Sequence, residues 1–150
     1  MLQVGDRAPD IELRTDSGEP FRLSGLKGKR VVLYFYPKAD TPGCTIEACE
    51  FRDNAKKFAK KSAAVVGISP DKPAAQARFK TKYDLPFTLL ADEEKGAAQA
   101  FGVWREKNMY GKKVMGIVRS TFVIGPDGKI EKIYDKVKAK GHAAEVLAGL

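Results

Sequence analysis

The chain has 150 residues, 43% hydrophobic and 31% charged, the length and balance of one soluble domain. Its net charge of +8 comes mostly from lysines dispersed along the chain, with no recognition-helix or RNP-type motif, so it reads as a solvated surface rather than a nucleic-acid interface. No apolar run approaches the roughly 18–20 residues of a membrane span, and "MLQVGDRAPD" lacks the apolar core of a signal peptide, so the expected compartment is the reducing cytosol.

In chain order, the alternation in "IELRTDSGEPFRL" predicts an N-terminal β-hairpin turning at Asp16-Ser17-Gly18. "RVVLYFYP" is a continuous apolar run, the pattern of a central strand buried on both faces, and it stops at Pro37. A helix is predicted from about Pro42 to Lys61, with Ile46, Cys49, Ala55, Phe58 and Ala59 facing inward and the Lys56–Lys61 cluster on its wet side. "AAVVGISPD" reads as a second buried strand, "KPAAQARFKTKYD" as a helix, "FTLLAD" as a strand and "EKGAAQAFGV" as a short helix. "WREKNMYGKKVMGIVR" reads as a long, less regular insertion of the kind that carries function. "STFVIGPDGKIEKIYD" predicts two strands around a turn, and "GHAAEVLAGL" a closing helix. This order predicts an α/β fold: one domain over residues 1–150, a central mixed sheet, and helices on both faces.

The chain's two cysteines, Cys44 and Cys49, both lie in "YPKADTPGCTIEAC". Their spacing is neither the C-x-x-C of a dithiol oxidoreductase nor half of a zinc site, and two cysteines with one histidine do not make a four-ligand zinc centre. No metal or organic cofactor is implied. Thr41 is a natural N-cap and Pro42 a natural first helical residue, which makes Cys44 the third residue of the helix. There it meets unpaired backbone N–H groups and the positive end of the helix dipole, and both favour thiolate over thiol. The alternative for Cys44 is a buried small apolar side chain. His142 reads as structural or solvent-facing. Trp104 and Tyr110 are candidates for a pocket mouth, with packing as the equal alternative.

"PKADTPGC" matches the Pro-x-x-x-Thr-x-x-Cys signature of the peroxiredoxins, and "TPGCTIEACEFRD" with "GVWREKNMYGKKVMGIVRSTFVI" resembles their bacterioferritin-comigratory, or Q-type, branch. With "VGDRAPDIEL" and "KGHAAEVLAGL" the resemblance covers nearly the whole chain. It implies a thioredoxin-like fold and thiol-dependent reduction of hydrogen peroxide and organic hydroperoxides. Cys44 resembles the peroxidatic cysteine, Thr41 the residue whose hydroxyl contacts the peroxide oxygens, and Pro37 the one that shields the pocket from water. Arg119 matches the arginine beside the thiolate, and Cys49 the resolving cysteine of members that place it five residues on. Thioredoxin is the implied reductant, with glutaredoxin or glutathione as alternatives, and a monomer the implied assembly. The rival reading from another class is a basic nucleic-acid-binding or holdase protein with incidental thiols.

Ionisation alone does not make such a sulfur fast. Lowering any thiol from about 8.5 to about 6 raises its thiolate at pH 7 about 30-fold, but the lost basicity slows attack about tenfold, a net gain of about threefold. The rest must come from donors that meet charge on the departing oxygen. The spacing carries a second consequence. On an intact helix, residues five apart lie about 8–9 Å apart at Cα and are rotated by roughly 140°. A disulfide needs Cα atoms within about 7 Å. Bonding of Cys44 to Cys49 therefore requires the first helical turns to unwind, an opening expected to expose Ile46 and Phe51.

Overall fold

The computed structural model describes residues 2–150. The predicted N-terminal hairpin is formed by β1 (Glu12–Thr15) and β2 (Pro20–Arg22), with Gly18 at φ 83° in its turn. Then come β3 (Arg30–Phe35), α1 (Pro42–Asp53), α2 (Ala55–Lys60), β4 (Ala63–Ser69), α3 (Pro73–Tyr83), β5 (Thr88–Ala91) and α4 (Gly96–Ala100). The chain continues through β6 (Trp104–Met109), β7 (Lys112–Ile117), β8 (Ser120–Ile124) and β9 (Ile130–Tyr134) to α5 (His142–Ala148). Seven strands form one mixed sheet in the order β2-β1-β5-β4-β3-β8-β9. β3, β4 and β5 run parallel, while β8 lies antiparallel to β3.

β3 is the axis of the sheet. Its side chains alternate, as a pleated strand requires. Val31, Leu33 and Phe35 enter one core with Ile68, Leu90, Phe101 and Phe122. Val32, Tyr34 and the following Tyr36 enter the other, with Cys44, Phe51, Phe79 and Val146. Helices cover both faces, which is why the strand from Val31 on is buried at every position rather than at every second one.

The long predicted helix is two helices. Asn54 ends α1: its backbone N–H donates to the carbonyls of Glu50 and Phe51, both at 3.2 Å, and its Nδ2 donates to Glu50 O at 2.8 Å. Lys56, Lys57 and Lys60 therefore lie on the separate, exposed face of α2 and not on the helix of the cysteines. The inward face also differs from expectation. Cys44, Glu47, Ala48 and Phe51 are buried, Cys49 and Ala55 are half-buried, and Ile46 and Ala59 are exposed. The buried set follows the i, i+3, i+4, i+7 pattern of a helix face. A carboxylate at its second position disguises it, because hydrophobic periodicity counts Glu47 as outward.

The insertion is regular. β6 and β7 form an antiparallel hairpin of their own, turned by Tyr110 and Gly111, both at positive φ (53° and 79°). Paired positive φ values suit the twist of a two-residue hairpin, but tyrosine at the first position hides the signal that Asn or Asp would give. Tyr110 is fully exposed at the tip, and Trp104 packs against the core on the side of the sheet opposite Cys44, with Lys95 Nζ 5.2 Å from its ring. Neither aromatic reaches the cysteine. Among the described residues no helix is long and apolar enough to cross a membrane.

Candidate active site

The loop from β3 to α1 is tied down before it reaches the cysteine. The Tyr36 hydroxyl donates to Gln76 Oε1 at 2.6 Å, and Gln76 Nε2 donates to Ser69 Oγ at 2.9 Å and Leu90 O at 2.8 Å. Ser69 Oγ donates to Asp71 Oδ2 at 2.6 Å, and the same oxygen accepts the Ala39 N–H at 2.8 Å. The next residue, Asp40, is left-handed (φ 59°), a conformation that short polar side chains tolerate. Lys82 Nζ (2.9 Å) and the Tyr83 hydroxyl (2.7 Å), both from α3, hold its carboxylate. These contacts fix where the chain enters α1.

Pro37 is half-buried two residues beyond the end of β3. Thr41 takes the N-cap position with extended backbone, and Pro42 is the first helical residue, as expected. The Thr41 side chain does not cap the helix, because its hydroxyl donates backwards to Lys38 O at 2.8 Å. Thr45 N–H bonds Thr41 O at 2.9 Å, which leaves the N–H groups of Gly43 and Cys44 without a partner among the described residues. Cys44 is the third helical residue and 1% exposed. Cys49 lies on the same helix, half-buried, near the charge of Arg52, and both cysteines are free thiols.

Arg119, which immediately precedes β8, joins two groups on α1. Its Nη2 donates to Cys44 Sγ at 3.3 Å, and its Nη1 donates to Glu47 Oε1 at 2.6 Å. Gly43 allows this approach, since a Cβ there would stand 3.2 Å from Arg119 Nη2. Burial works against the charged guanidinium, but the Glu47 and Cys44 charges and their hydrogen bonds outweigh it and hold Arg119 above its ordinary value. Glu47 is 0% exposed, and burial pushes its carboxyl up to about 7 against the opposing pull of Arg119. Its second oxygen, Oε2, has no hydrogen-bond partner among the described residues. Lys107, on β6, lays its stem across Gly116, whose Cβ would stand 3.2 Å from Lys107 Cδ. Burial and the charge of Arg119 pull Lys107 down, while the charge of Cys44 opposes them.

Sequence reasoning missed Glu47 and Lys107. Glu47 was accessible as the one acid on the heptad face that contains Cys44, whereas Lys107 is brought in only by the hairpin's tertiary placement. His142 is 2% exposed rather than solvent-facing. Its Nε2 bonds Thr121 Oγ1 at 2.6 Å, its Nδ1 bonds Glu145 Oε1 at 3.0 Å, and burial lowers its pKa. It ties α5 to β8.

This arrangement provides one sheltered sulfur, a fixed cation within hydrogen-bond range of it, and two free amides at a helix start. It is a site built to attack an electrophilic oxygen and to receive negative charge. The AhpC/TSA family model matches residues 4–133. Peroxiredoxin Bcp of Bacillus subtilis (strain 168) is 51% identical over 149 residues, covering 99% of this chain and 95% of that protein. A cysteine-to-serine variant of Xanthomonas campestris peroxiredoxin Q superposes with a TM-score of 0.92 at 39% identity, covering 99% of this chain and 95% of that one. A structure of the X. campestris bacterioferritin comigratory protein, described for its alkyl peroxide reduction activity and trapped intermediate/ligand complexes, superposes at 0.91 with 38% identity, covering 99% and 95%. The chain belongs to the AhpC/TSA family and, within it, to the thioredoxin-fold peroxiredoxins of the bacterioferritin-comigratory, or Q, branch: it is a thiol-dependent peroxidase.

Proposed function

We propose that the chain, as a single domain over residues 1–150, reduces hydrogen peroxide and organic hydroperoxides at Cys44, closes a Cys44–Cys49 disulfide, and is returned to the dithiol by thioredoxin. The carrying observation is the 3.3 Å contact between Arg119 Nη2 and Cys44 Sγ at the head of the helix that also holds Cys49. The Cys44 thiolate attacks one peroxide oxygen, the O–O bond breaks, and alcohol or water leaves with the sulfur as sulfenic acid. Arg119 and the amides of Gly43 and Cys44 meet charge on the departing oxygen. Thr41 has a narrower role than a general donor. Its proton is engaged with Lys38 O, so Oγ1 offers lone pairs to the hydroperoxide's own O–H and orients it. Pro37 shields the same pocket.

Cys49 then attacks the sulfenic sulfur and water leaves. The alkyl peroxide reduction described for the X. campestris relative supports organic hydroperoxides as substrates. Both cysteines and Arg119 come from one chain, so the cycle needs no second copy and runs in a monomer. A reducing cytosol keeps both thiols available. The rival reading, a basic binding protein with incidental thiols, gives no reason for a buried arginine to contact Cys44.

The test is peroxide consumption coupled to thioredoxin and its reductase, run beside glutaredoxin and glutathione. Cys44→Ser should abolish turnover while the fold survives. Cys49→Ser should consume about one equivalent of peroxide per chain by the stoichiometry of sulfenic acid formation and then stall. Substantial turnover in Cys44→Ser would remove that sulfur from the chemistry.

A further inference from the structure

The buried carboxyl of Glu47 is not explained by the thiol cycle. A guanidinium needs no carboxylate partner to serve a thiolate, and a carboxylate in that place competes for the same charge. Arg119 stands between them, 2.6 Å from Glu47 Oε1 and 3.3 Å from Cys44 Sγ. Neither acid has water to fall back on, since Glu47 is 0% and Cys44 1% exposed. With both ionised, the three groups sum to one net negative charge. With one proton between them, they are neutral. A site shut off from water favours the neutral state strongly. Glu47 Oε2, buried and without a partner among the described residues, is the natural seat for that proton.

We infer that Cys44 and Glu47 hold a single proton between them about Arg119, so that Glu47 stores the proton the thiol gives up and releases it once Cys44 is oxidised. The inference rests on the reading of Cys44 as the attacking sulfur. The balance is complete. Thiol with carboxylate becomes thiolate with carboxylic acid, with no change in net charge. The thiolate's electron pair forms the S–O bond, the O–O bond breaks, and its electrons leave on the alkoxide. The Glu47 proton goes to the departing alkoxide, which becomes alcohol. Cys44 is then an uncharged sulfenic acid, and Glu47 is left as the carboxylate that Arg119 requires.

The pair titrates as a unit, with values that belong to both groups. The other charged or titratable groups around Glu47 are known. Glu50 shares its helix and adds to the upward push on Glu47. Tyr34, from β3, is held well above its ordinary value by burial, so it stays a neutral phenol. Lys107 approaches from β6, where the charges of Arg119 and Cys44 act on it. His142, on α5, is lowered by burial, against the raising pull of Glu145. None of them stands between the two acids as Arg119 does.

The experiment is infrared spectroscopy of the protonated-carboxyl band across pH, assigned by its absence in Glu47→Gln. In the reduced enzyme the band should persist to higher pH than in Cys44→Ser, and than in Cys49→Ser oxidised by one equivalent of hydrogen peroxide. The expected difference is about one to two pH units, the usual effect of a like charge sharing a buried site. Conversely, the Cys44 thiol of Glu47→Gln should titrate lower by a similar amount, and Glu47→Asp should restore the wild-type curve in part. A band that titrates identically in all three proteins would mean that burial alone protonates Glu47, and the shared proton is gone. A merely structural Glu47 would slow Glu47→Gln equally at every pH and leave the thiol curve in place. Failure of the underlying reading looks different again, because Cys44→Ser would then still turn over peroxide.

Discussion

Glu50, in the last half of α1, accepts the backbone N–H of Gly141 with both carboxylate oxygens, at 2.7 and 3.1 Å. Gly141 is the left-handed residue that starts α5 (φ 83°). α5 has only seven residues, too few to hold as an isolated helix. It depends on Val146 and Ala143 in the core and on this charged cap from another element. Glu50→Ala should therefore lower stability by about 1.5–3 kcal/mol, the usual range for a hydrogen bond to a charged group. It should also speed amide exchange over residues 141–146, with Glu50→Gln between the two. Urea unfolding and exchange mass spectrometry read both, and unaltered exchange in α5 would count against the cap.

Arg119→Ala should slow peroxide attack by about 10²–10³, the range for losing one preorganised donor. The rates are to be compared at a pH where the Cys44 thiol is fully ionised in both proteins. Ionisation contributes only about threefold, so equal rates there would reduce Arg119 to a role in ionisation. Arg119→Lys should fall between, because one ammonium cannot donate to sulfur and to Glu47 in the geometry of a planar fork.

How much of this was legible before folding depends on how far each residue's role is local. β3 announced itself because every side chain in it after Arg30 is buried and largely apolar. The Thr-Pro-Gly-Cys turn announced the helix start because N-cap and first-turn chemistry is local. The helix face was misjudged by the residues that matter most: Glu47 sits where a leucine would be expected, and Ile46 sits in solvent at 46% exposure. Arg119 carries no local mark and was found through family resemblance alone. Lys107 arrives at the site through a hairpin whose turn uses tyrosine at positive φ, so neither its strand nor its direction was readable.

Glu47 makes stability depend on pH with a known sign. Its folded value of about 7 lies above the ordinary 4.5, so the folded protein binds the extra proton between those limits. Its contribution is fully present below about pH 4.5 and is lost as pH rises through about 7, a change of about 3 kcal/mol by proton linkage. In a Cys44→Ser background, where the thiol does not titrate, the protein should lose stability relative to its Glu47→Gln derivative as pH goes from about 4.5 to 8. His142, lowered by burial, acts in the opposite direction but is common to both proteins and cancels. Parallel stability curves would show that Glu47 titrates alike folded and unfolded.

Thr41→Ser keeps the hydroxyl that donates to Lys38 O and should retain most of the activity, whereas Thr41→Val loses it. Valine leaves Lys38 O without its partner and removes the acceptor that faces the hydroperoxide. Its rate should fall by about tenfold or more, one hydrogen bond's worth. Steady-state rates with hydrogen peroxide and an alkyl hydroperoxide measure this, and a Thr41→Val enzyme as fast as Thr41→Ser would remove the hydroxyl from the mechanism.

The structure sets limits on the unwinding that disulfide closure requires. Before the segment, Asp40 is fastened to Lys82 and Tyr83. After it, Glu50 is fastened to Gly141, and Phe51 is stacked on Tyr34 with ring centroids 4.6 Å apart. Between these anchors the main polar tie is Glu47 to Arg119, which must be released. Ile46 is already exposed, so the opening gains no new apolar surface from it, contrary to the sequence expectation. Phe51 is 0% exposed, and uncovering it would cost about 1.5–3 kcal/mol. The lowest-energy opening therefore unwinds residues 42–49 and leaves Phe51 in the core. Pro42 and Gly43 start that segment, and β-branched Thr45 is a poor helix former, so local opening is cheap compared with global unfolding. On oxidation, amide protection should fall sharply over residues 45–53, because unwinding residues 42–49 removes the carbonyls that these amides bond four residues back, stay high at Asn54, whose N–H donates to Glu50 O and Phe51 O, and remain unchanged in residues 31–36 and 121–124. Exchange mass spectrometry on the reduced protein and on the oxidised protein, its disulfide verified by mass, decides the matter. Equal protection of residues 45–49 in both states would mean that the bond forms without unwinding, and loss of protection at Asn54 would mean that the opening runs further than these anchors allow.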